Sequence, residues 1–552
     1  MSISLVLTLG HNSSAIVVND GLIQCGYEEE RLSGKKSDSS FPIQAIQECV
    51  KRCNTKHFDS LCVGHWFINH ELPEQENKYW QPSELAKLGI SYDTVYSIDK
   101  HFSHHDSHVE AAICFAGKEF TKNCYALVAD GFGSSGEVLS IYSIESGDYR
   151  LTDRFFGFEK SLGLLYQYAT AYIGMKMHNH EYKMLAYEVH VHDLDSYVDV
   201  EAIYQRAHDY STQLLRNMFL GDVKGFTDPV INLEALPEVR AYHDKIFSQL
   251  LEEVTGGEEL VDYEIRCIIS YYVQAVVELT ILGLVSVIQP KNLLLCGGLF
   301  YNVKLNNLIT QLVSTHDGKV CVMPLAGDQG AGLGVYNRYM GDLVWPDNLF
   351  WGLRDLTPKT TKGVVVVNNS EDAFKAICKE LDRVGFVNFV RGAMEFGPRA
   401  LCNTTTLALP TKEVAAKINM VNERTNEMPF ALVVTNDQAE DLFEGCSEVH
   451  KSLEYMICTR DFKPGKHESV LGGAHYYPLV DTFTCRPQIT SDPLMCSLLE
   501  KYGPLINTSF NFHGVPIVLT DEQILFSHNS QQQHAADIKG VKTVILKGNE
   551  NE

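Results

Sequence analysis

The sequence predicts an α/β protein built from two units, and three observations predict it. Short β-rich runs alternate with turns through the first sixty residues and then give way to a helix. Two later apolar runs, 125–130 and 292–296, end on glycine turns, Gly131 and Gly133 after the first and Gly297-Gly298 after the second. Turns of this kind, at the carboxyl ends of strands, are where α/β proteins bind ligands. The stretch 340–363, with Pro346, Pro358, three threonines and little periodicity, then interrupts the pattern before a new strand–helix cycle begins at Val364. The chain is therefore divided into units 1–350 and 351–552, in keeping with 552 residues at about 100–200 residues per domain.

Taken in order, residues 4–9 read as a strand, Gly10-His11-Asn12-Ser13-Ser14 as a turn and 15–18 as a second strand. Asn19-Asp20-Gly21 marks a hairpin turn before a third strand at 22–27. Phe41-Pro42 opens a helix, since proline suits a first turn. In one class of nucleotide-binding folds such hairpins, rather than a P-loop, present backbone N–H groups to phosphate. No G-x-x-x-x-G-K-[ST] segment occurs here. The longest apolar stretch, 268–288, is interrupted by Gln274 and Glu278 and closed by Pro290. It predicts a buried core helix rather than a membrane span. In the second unit 364–367 reads as strand and 372–383 as helix, and strands outnumber helices from there on. No repeat at a solenoid period is seen.

Composition narrows the function classes. Apolar residues make up 45% and charged residues 21%, the balance of a soluble globular protein. With 46 basic and 70 acidic residues the net charge is −24, which argues against a bulk electrostatic grip on nucleic acid unless a local basic groove exists. The 15 cysteines are scattered and odd in number, and residues 1–8 lack the basic and long apolar regions of a secretory segment. Reduced thiols, a cytoplasmic location and no membrane association are expected.

The chemistry-bearing residues begin with His101, His104, His105 and His108, four histidines within eight residues. On a helix His104 and His108 share a face, as two imidazoles must to bind one metal ion. The plain alternative is a solvated polar helix start. Asp130 ends a strand beside Gly131, and Asp328 sits in the small-residue loop Pro324-Leu325-Ala326-Gly327-Asp328-Gln329-Gly330. Carboxylates so placed bind metal or phosphate-bound Mg²⁺, although aspartate also caps turns and helices. Together the four make a mixed N/O site with open positions. Gly297, Gly298 and the following helix start suit an anion or nucleotide. In the second unit Arg391, Arg399, Arg424 and Arg486 offer forks to phosphate or carboxylate. The run Asn507-Thr508-Ser509-Phe510-Asn511 supplies short polar side chains after a strand. The stretch holding Lys176, His178, His180, Lys183, His190 and His192, with Tyr172, Tyr182 and Tyr187 interleaved, reads either as an acceptor groove or as a polar loop.

These motifs, in this order and over nearly the whole chain, resemble the O-carbamoyltransferases of nodulation-factor and antibiotic biosynthesis. The resemblance rests on Gly10-His11-Asn12-Ser13-Ser14-Ala15, Glu28-Glu29-Glu30-Arg31, the 104–108 histidines, Asp130-Gly131-Phe132-Gly133 and Ser161-Leu162-Gly163-Leu164-Leu165-Tyr166. It continues through Cys296-Gly297-Gly298-Leu299-Phe300-Tyr301-Asn302, Gly327-Asp328-Gln329-Gly330, the segment from Met394 to Leu401, and 507–511.

The resemblance implies an actin/hexokinase-type (ribonuclease-H-like) ATPase domain followed by a YrdC-like α/β domain. The second would make carbamoyl adenylate from ATP and carbamoyl phosphate, releasing phosphate and pyrophosphate. The first would pass the carbamoyl group to an acceptor hydroxyl. Carried over by motif, His104, His108, Asp130 and Asp328 would hold Fe²⁺ or another divalent metal. His11, a candidate catalytic base that also reads as a structural turn histidine, and Lys183 would serve catalysis. Gly297, Gly298 and Asn302 would line the adenosine site. Arg399, Arg424, Arg486, Ser509 and Asn511 would bind carbamoyl phosphate and the ATP phosphates with Mg²⁺, near His475, Asp481 and Gln488.

The chain departs from the family pattern at Asn12, at Tyr182 before Lys183, and at Cys402, Thr404, Asn422, Met428, His513 and Val515. Most of these changes fall in the YrdC-like site. The acceptor is expected to be a hydroxymethyl pyrimidine, as nucleotide or DNA, or a sugar or natural-product hydroxyl. The competing classes are a kinase or hydrolase of the same superfold, which would give ADP, and a non-catalytic nucleotide-binding module. Oligomeric state is not legible.

Overall fold

Both faces of the first strands are apolar, so the sheet they form has to be covered on two sides. In β1 (Ile3–Thr8) and β2 (Ser14–Asn19), Leu5, Leu7, Ala15 and Val17 enter one core while Val6, Ile16 and Val18 enter another. This is the period-two alternation of a strand buried on both faces. The structure, a computed structural model, describes residues 2–67, 71–194, 197–220, 233–354, 356, 361–425, 430–477, 480–538 and 540–547.

β3 (Leu22–Glu28), β4 (His57–Gly64) and β5 (Ser91–Ser97) complete the first sheet in the order β3-β2-β1-β4-β5. The first three strands are antiparallel, and β1, β4 and β5 are parallel. A second sheet is made of β6 (Asn123–Ala129), β7 (Glu137–Glu145), β8 (Asp148–Phe156), β9 (Asn292–Cys296) and β10 (Lys319–Val322). Its order is β10-β9-β6-β7-β8, with β6, β7 and β8 antiparallel and β6, β9 and β10 parallel. The two sheets therefore repeat one topology, three antiparallel strands followed by two parallel ones, which is the duplicated architecture of the actin/hexokinase type. Sequence reading found no repeat because the copies differ in their crossovers. The second copy runs from Phe156 to Asn292 between its third and fourth strands, where the helices Val200–Leu220, Leu236–Thr255 and Asp262–Ile288 lie. The last of these is long and apolar enough to span a membrane, yet 83% of its most apolar window is buried inside the protein.

The later residues form a seven-stranded mixed sheet and a small three-stranded one. The strands are β11 (Val364–Val367), β12 (Phe386–Arg391), β13 (Thr404–Ala408), β14 (Ala431–Val434), β15 (Arg460–Asp461), β16 (His475–Tyr477), β17 (Thr482–Cys485), β18 (Pro487–Ile489), β19 (Leu505–Ser509) and β20 (Thr543–Leu546). The large sheet runs β11-β20-β12-β13-β19-β14-β18 and the small one β15-β17-β16. Phe396, Leu401, Ala431, Tyr455, Met456 and Ile457 from this part join the core of the second sheet, so the two parts share apolar contact.

Small residues explain how separate elements come close. A Cβ at Gly334 would lie 1.8 Å from the Ser107 carbonyl oxygen, and one at Gly64 would lie 2.4 Å from the Gly332 nitrogen. The helix Ala331–Met340 thus packs backbone-to-backbone against the helix His104–Phe120 and β4. The loop before it, carrying Asp328, is brought to the start of the histidine helix.

Candidate active site

Helix His104–Phe120 begins at a reciprocal cap. Ser103 Oγ accepts from the Asp106 N–H, and the Asp106 carboxylate accepts from the Ser103 N–H at 2.7 Å. The cap fixes His104 as the first helical residue and places His108 one turn later on the same face. Their Nε2 atoms are 3.1 Å apart. Asp130, just after β6, and Asp328, in the turn before Ala331, complete the group. His104 Nε2 lies 3.4 Å from Asp130 Oδ2 and 3.3 Å from Asp328 Oδ1; for His108 Nε2 the distances are 3.6 and 3.8 Å. All four ligand atoms lie within 4.8 Å of one another.

These separations fit a cation. Bonds of about 2.0–2.2 Å to nitrogen and oxygen place neighbouring ligand atoms about 3–3.5 Å apart. Two imidazoles and two carboxylates suit a divalent ion such as iron or zinc. His104 Nδ1 sits 3.1 Å from the His65 carbonyl oxygen, so a proton there leaves Nε2 with its lone pair toward the cluster. Glycines make the room. A Cβ at Gly133 would come within 2.9 Å of the His104 ring, and one at Gly298 within 2.9 Å of Asp130 Oδ1. Burial works against a charged His104, but Asp328 and Asp130 outweigh it and hold the imidazole well above its ordinary range. Burial likewise opposes a charged Asp130, yet hydrogen bonds from the two histidines keep its carboxyl well below the usual range.

His11 lies in the β1–β2 turn, with Gly10 (φ +94°) before it and Asn12 (φ +61°) after it. A Cβ at Gly10 would stand 2.2 Å from Trp66 Nε1. The His11 ring lies 5.1 Å from that of His178, and its buried Nε2 has no hydrogen-bond partner among the described residues. Burial, with His11 adding to it, lowers His178 to about 4, so a neutral ring faces His11 at neutral pH. Trp66 in turn packs on Phe67, Tyr79 and Phe132, with Phe132 edge-on at 5.6 Å.

The second cluster is cationic. Arg399, Arg424 and Arg486 face one another, and among the described residues no carboxylate pairs with any of them. The Nε atoms of Arg399 and Arg486 are buried without a partner. Burial lowers all three guanidiniums, and Arg399 and Arg424 add to it at Arg486, which falls to about 9. Half-buried cations with no carboxylate partner among the described residues mark a place suited to an anion. Arg424 is steadied by Thr508 Oγ1 at 3.2 Å and by the ring of Phe430 at 5.0 Å. Arg391 is different: it is already spent on Asp492 at 2.8 Å and Asn403 at 2.6 Å.

Of the other sequence candidates, Lys183 faces Arg424 and Lys36. Gly297 (φ +97°) needs its missing side chain, since a Cβ would meet the Ala129 carbonyl oxygen at 2.3 Å. Asn302 is occupied as a helix cap for Leu305 and by Gln274, so its amide is turned inward. Asn511 donates to the Phe512 and Val515 carbonyls and holds a loop. Ser509 pairs with Thr405 at the end of β19, half-buried. His475, lowered to about 4 by burial, contacts the Phe430 carbonyl, and Gln488 accepts from Asn507. Asp481 stands apart, exposed and bonded to Tyr476.

The histidine-rich stretch is divided. His178, His180 and Lys183 face the site, whereas His190 pairs with Asp193 and His192 packs on Tyr271. Asn422, where the family pattern has lysine, is buried, and its Oδ1 accepts from Gln531. Met428 lies outside the described residues. Sequence reading missed Lys36, His178 as the neighbour of His11, and Tyr301, whose hydroxyl donates to Gln329 Oε1 at 3.0 Å beside Asp328. The basic turn Gly34-Lys35-Lys36, so soon after the Glu28–Arg31 motif, was the available signal for the first.

A duplicated α/β fold with a mixed N/O ligand cluster and an arginine pocket suits a group-transfer enzyme. The family model for the carbamoyltransferase N-terminus matches residues 75–336 and that for the carbamoyltransferase C-terminus matches 378–543. The chain belongs to the carbamoyltransferase family and is a transferase. Nodulation protein NolNO of Sinorhizobium fredii is 25% identical over 552 residues, 94% of this chain and 75% of that protein. An uncharacterised protein of Methanocaldococcus jannaschii is 25% identical over 94% of this chain and 95% of its own length. The 3'-hydroxymethylcephem-O-carbamoyltransferase of Amycolatopsis lactamdurans is 29% identical over 241 residues, 40% of this chain and 43% of its own. Among solved structures, phosphate- and nucleotide-bound full-length HypF aligns with a TM-score of 0.32 at 14% identity, covering 62% of this chain and 47% of that one. A ROK family glucokinase from Streptomyces griseus aligns at 0.27 and 11%, covering 61% and 99%.

Proposed function

We propose that this protein is an ATP-dependent O-carbamoyltransferase with separate activation and transfer sites. The observation that carries the reading is the pairing of a four-ligand His/Asp cluster with a pocket of unpaired arginines in the same molecule. Arg399, Arg424 and Arg486, with Lys183 nearby, would offset the repulsion between carbamoyl phosphate and Mg²⁺-bound ATP. Water releases phosphate from carbamoyl phosphate, the carbamate oxygen attacks the α-phosphorus of ATP, and pyrophosphate leaves. Carbamoyl adenylate is the product.

His104, His108, Asp130 and Asp328 would hold a divalent ion, iron by family resemblance. That ion would polarise the carbamoyl carbonyl and neutralise the adenylate phosphate. His11, with its free buried Nε2, takes the proton of the acceptor hydroxyl as that oxygen attacks the carbamoyl carbon, and AMP leaves. Gly297 and Gly298 leave space beside Asp130 for the adenosine. Enclosure matters because water would consume the activated carbamoyl group.

The acceptor belongs to the same reading: a hydroxymethyl pyrimidine, as nucleotide or DNA, or a sugar or natural-product hydroxyl. So do the division into 1–350 and 351–552 and a cytoplasmic location, which the 15 free cysteines support. The test is ³¹P NMR of the protein with ATP and carbamoyl phosphate. Pyrophosphate, phosphate and AMP are expected; ADP as the nucleotide product would overturn the reading. Mass spectrometry of candidate alcohols for a carbamoyl-sized gain identifies the acceptor.

A further inference from the structure

The Glu28-Glu29-Glu30-Arg31 segment takes no part in the reaction described above, yet each of its members ties down a different part of the site. The Glu29 N–H donates to the Ser13 carbonyl, two residues from His11, and the Glu29 carboxylate accepts from the Ala45 N–H at 2.9 Å. Glu30 accepts from the Ser37 N–H, next to Lys36. Glu28 and Arg31 form a fully buried ion pair with a 2.9 Å contact. Both members of the pair hold Gly397. Its N–H donates to Glu28 Oε2 at 3.0 Å, and its carbonyl accepts from Arg31 Nη2 at 2.5 Å.

Gly397 lies two residues before Arg399. Its backbone has φ +102°, and a Cβ there would stand 2.8 Å from Leu325 Cδ2. Leu325 begins the loop that carries Asp328. One residue, Gly397, therefore meets the end of β3, the Asp328 loop and the arginine turn. The two successive peptides that flank the Gly397 Cα are each held by one hydrogen bond, so the direction in which the chain leaves for Arg399 is set from the first sheet.

We propose that Glu28 and Arg31 are positioning residues that aim Arg399 into the anion pocket and keep it in register with the Asp328 loop. The proposal rests on the reading that Arg399 receives substrate phosphate oxygens. The bidentate reach of arginine is essential to it: Arg31 must pair with Glu28 and still donate to the Gly397 carbonyl, which a lysine ammonium on a single stem does not reproduce.

The test uses inorganic pyrophosphate as the probe, with its binding to the whole chain measured by calorimetry. Arg31→Lys keeps the charge that Glu28 needs, and the double variant Glu28→Gln/Arg31→Met removes both charges at similar volume, so at least one is expected to fold. Each should weaken pyrophosphate binding about tenfold and raise KM for carbamoyl phosphate similarly at nearly unchanged kcat, the order produced by misplacing a binding group by a fraction of an ångström. A merely structural role would instead lower kcat, as fewer molecules fold, at native KM. Glu28→Gln alone keeps an oxygen for the Gly397 N–H and should bind pyrophosphate close to native. Native affinity and KM in a folded Arg31→Lys or double variant would overturn the proposal. Equal pyrophosphate binding by the native protein and Arg399→Met would overturn it by removing the anion pocket itself. Binding of pyrophosphate by a protein that makes none from ATP and carbamoyl phosphate would leave the positioning role standing and sink only the activation chemistry.

Discussion

The two clusters of this molecule are electrostatic opposites. In the cluster around His104, each imidazole Nε2 has both Asp130 and Asp328 within 4 Å, so carboxylates accompany the imidazoles. Around Arg486, three guanidiniums crowd together and two Nε atoms have no hydrogen-bond partner among the described residues. The first can be neutral in charge once a divalent ion enters; the second carries its electrostatic strain until an anion arrives. The proposed reaction, which activates one substrate as a phosphate ester and delivers it at a metal, would use both, and the contrast makes each separately testable.

The largest effect is expected at the balanced cluster. His104→Ala or Asp328→Ala should lower carbamoyl transfer about 100-fold or more, the scale on which a preorganised electrostatic group acts. Pyrophosphate formation should survive, because the arginines are untouched; loss of both together in a folded variant would break the comparison. Next comes Arg486→Met. A charge-assisted contact contributes about 1.5–3 kcal/mol, so KM for carbamoyl phosphate should rise about 10- to 150-fold. The same change removes a half-buried charge held beside the like charges of Arg399 and Arg424, so the free protein should melt at an equal or higher temperature. A clear fall in melting temperature would mean that the arginines are structural.

A smaller effect tests the seam between the two parts. Glu278 on the long core helix accepts from Tyr477 of β16 at 2.8 Å and from Gln274 at 2.6 Å. Burial, with Glu188 close by, raises its carboxyl to about 8. A carboxyl raised in the folded state binds its proton more tightly there than in the unfolded chain. Its protonation therefore stabilises the fold at low pH, and that contribution is lost as pH rises from the ordinary carboxylate range to about 8. Melting temperature should fall across that window, and Glu278→Gln should flatten the fall. Smallest of all, His190→Gln and His192→Gln should leave acceptor KM within about twofold, as surface changes away from a site do. A larger change would return the whole histidine-rich stretch to the acceptor groove.

Much of this was legible in the sequence, but unevenly. The strand, turn and hairpin order of residues 3–28 follows from alternation and from Asn19-Asp20-Gly21, and it is found at Ile3–Thr8, Ser14–Asn19 and Leu22–Glu28. His104 and His108 could be paired because helical spacing is local, and Asp130 and Asp328 because strand-end carboxylates beside glycine are conspicuous. The duplication of the first sheet in the second was hidden, since a long helical crossover separates its strands. Arg399, Arg424 and Arg486 could be named, but not the lack of carboxylate partners around them among the described residues, which depends on tertiary packing. The hold of Arg31 on Gly397 spans 366 residues and leaves no local mark. Asn302 and Asn511 were read as ligand-facing, whereas their amides are drawn into a helix cap and a loop, the competition that short polar side chains commonly enter.

Metal stoichiometry tests the contrast between the clusters most directly. Elemental analysis of the purified native chain after incubation with ferrous ion should give one bound ion per chain. Arg399→Met should keep that value, and His104→Ala and Asp328→Ala should each lose it. An unchanged metal content in the Asp328 and His104 variants, or its loss in the arginine variant, would contradict the assignment of one cluster to a cation and the other to an anion.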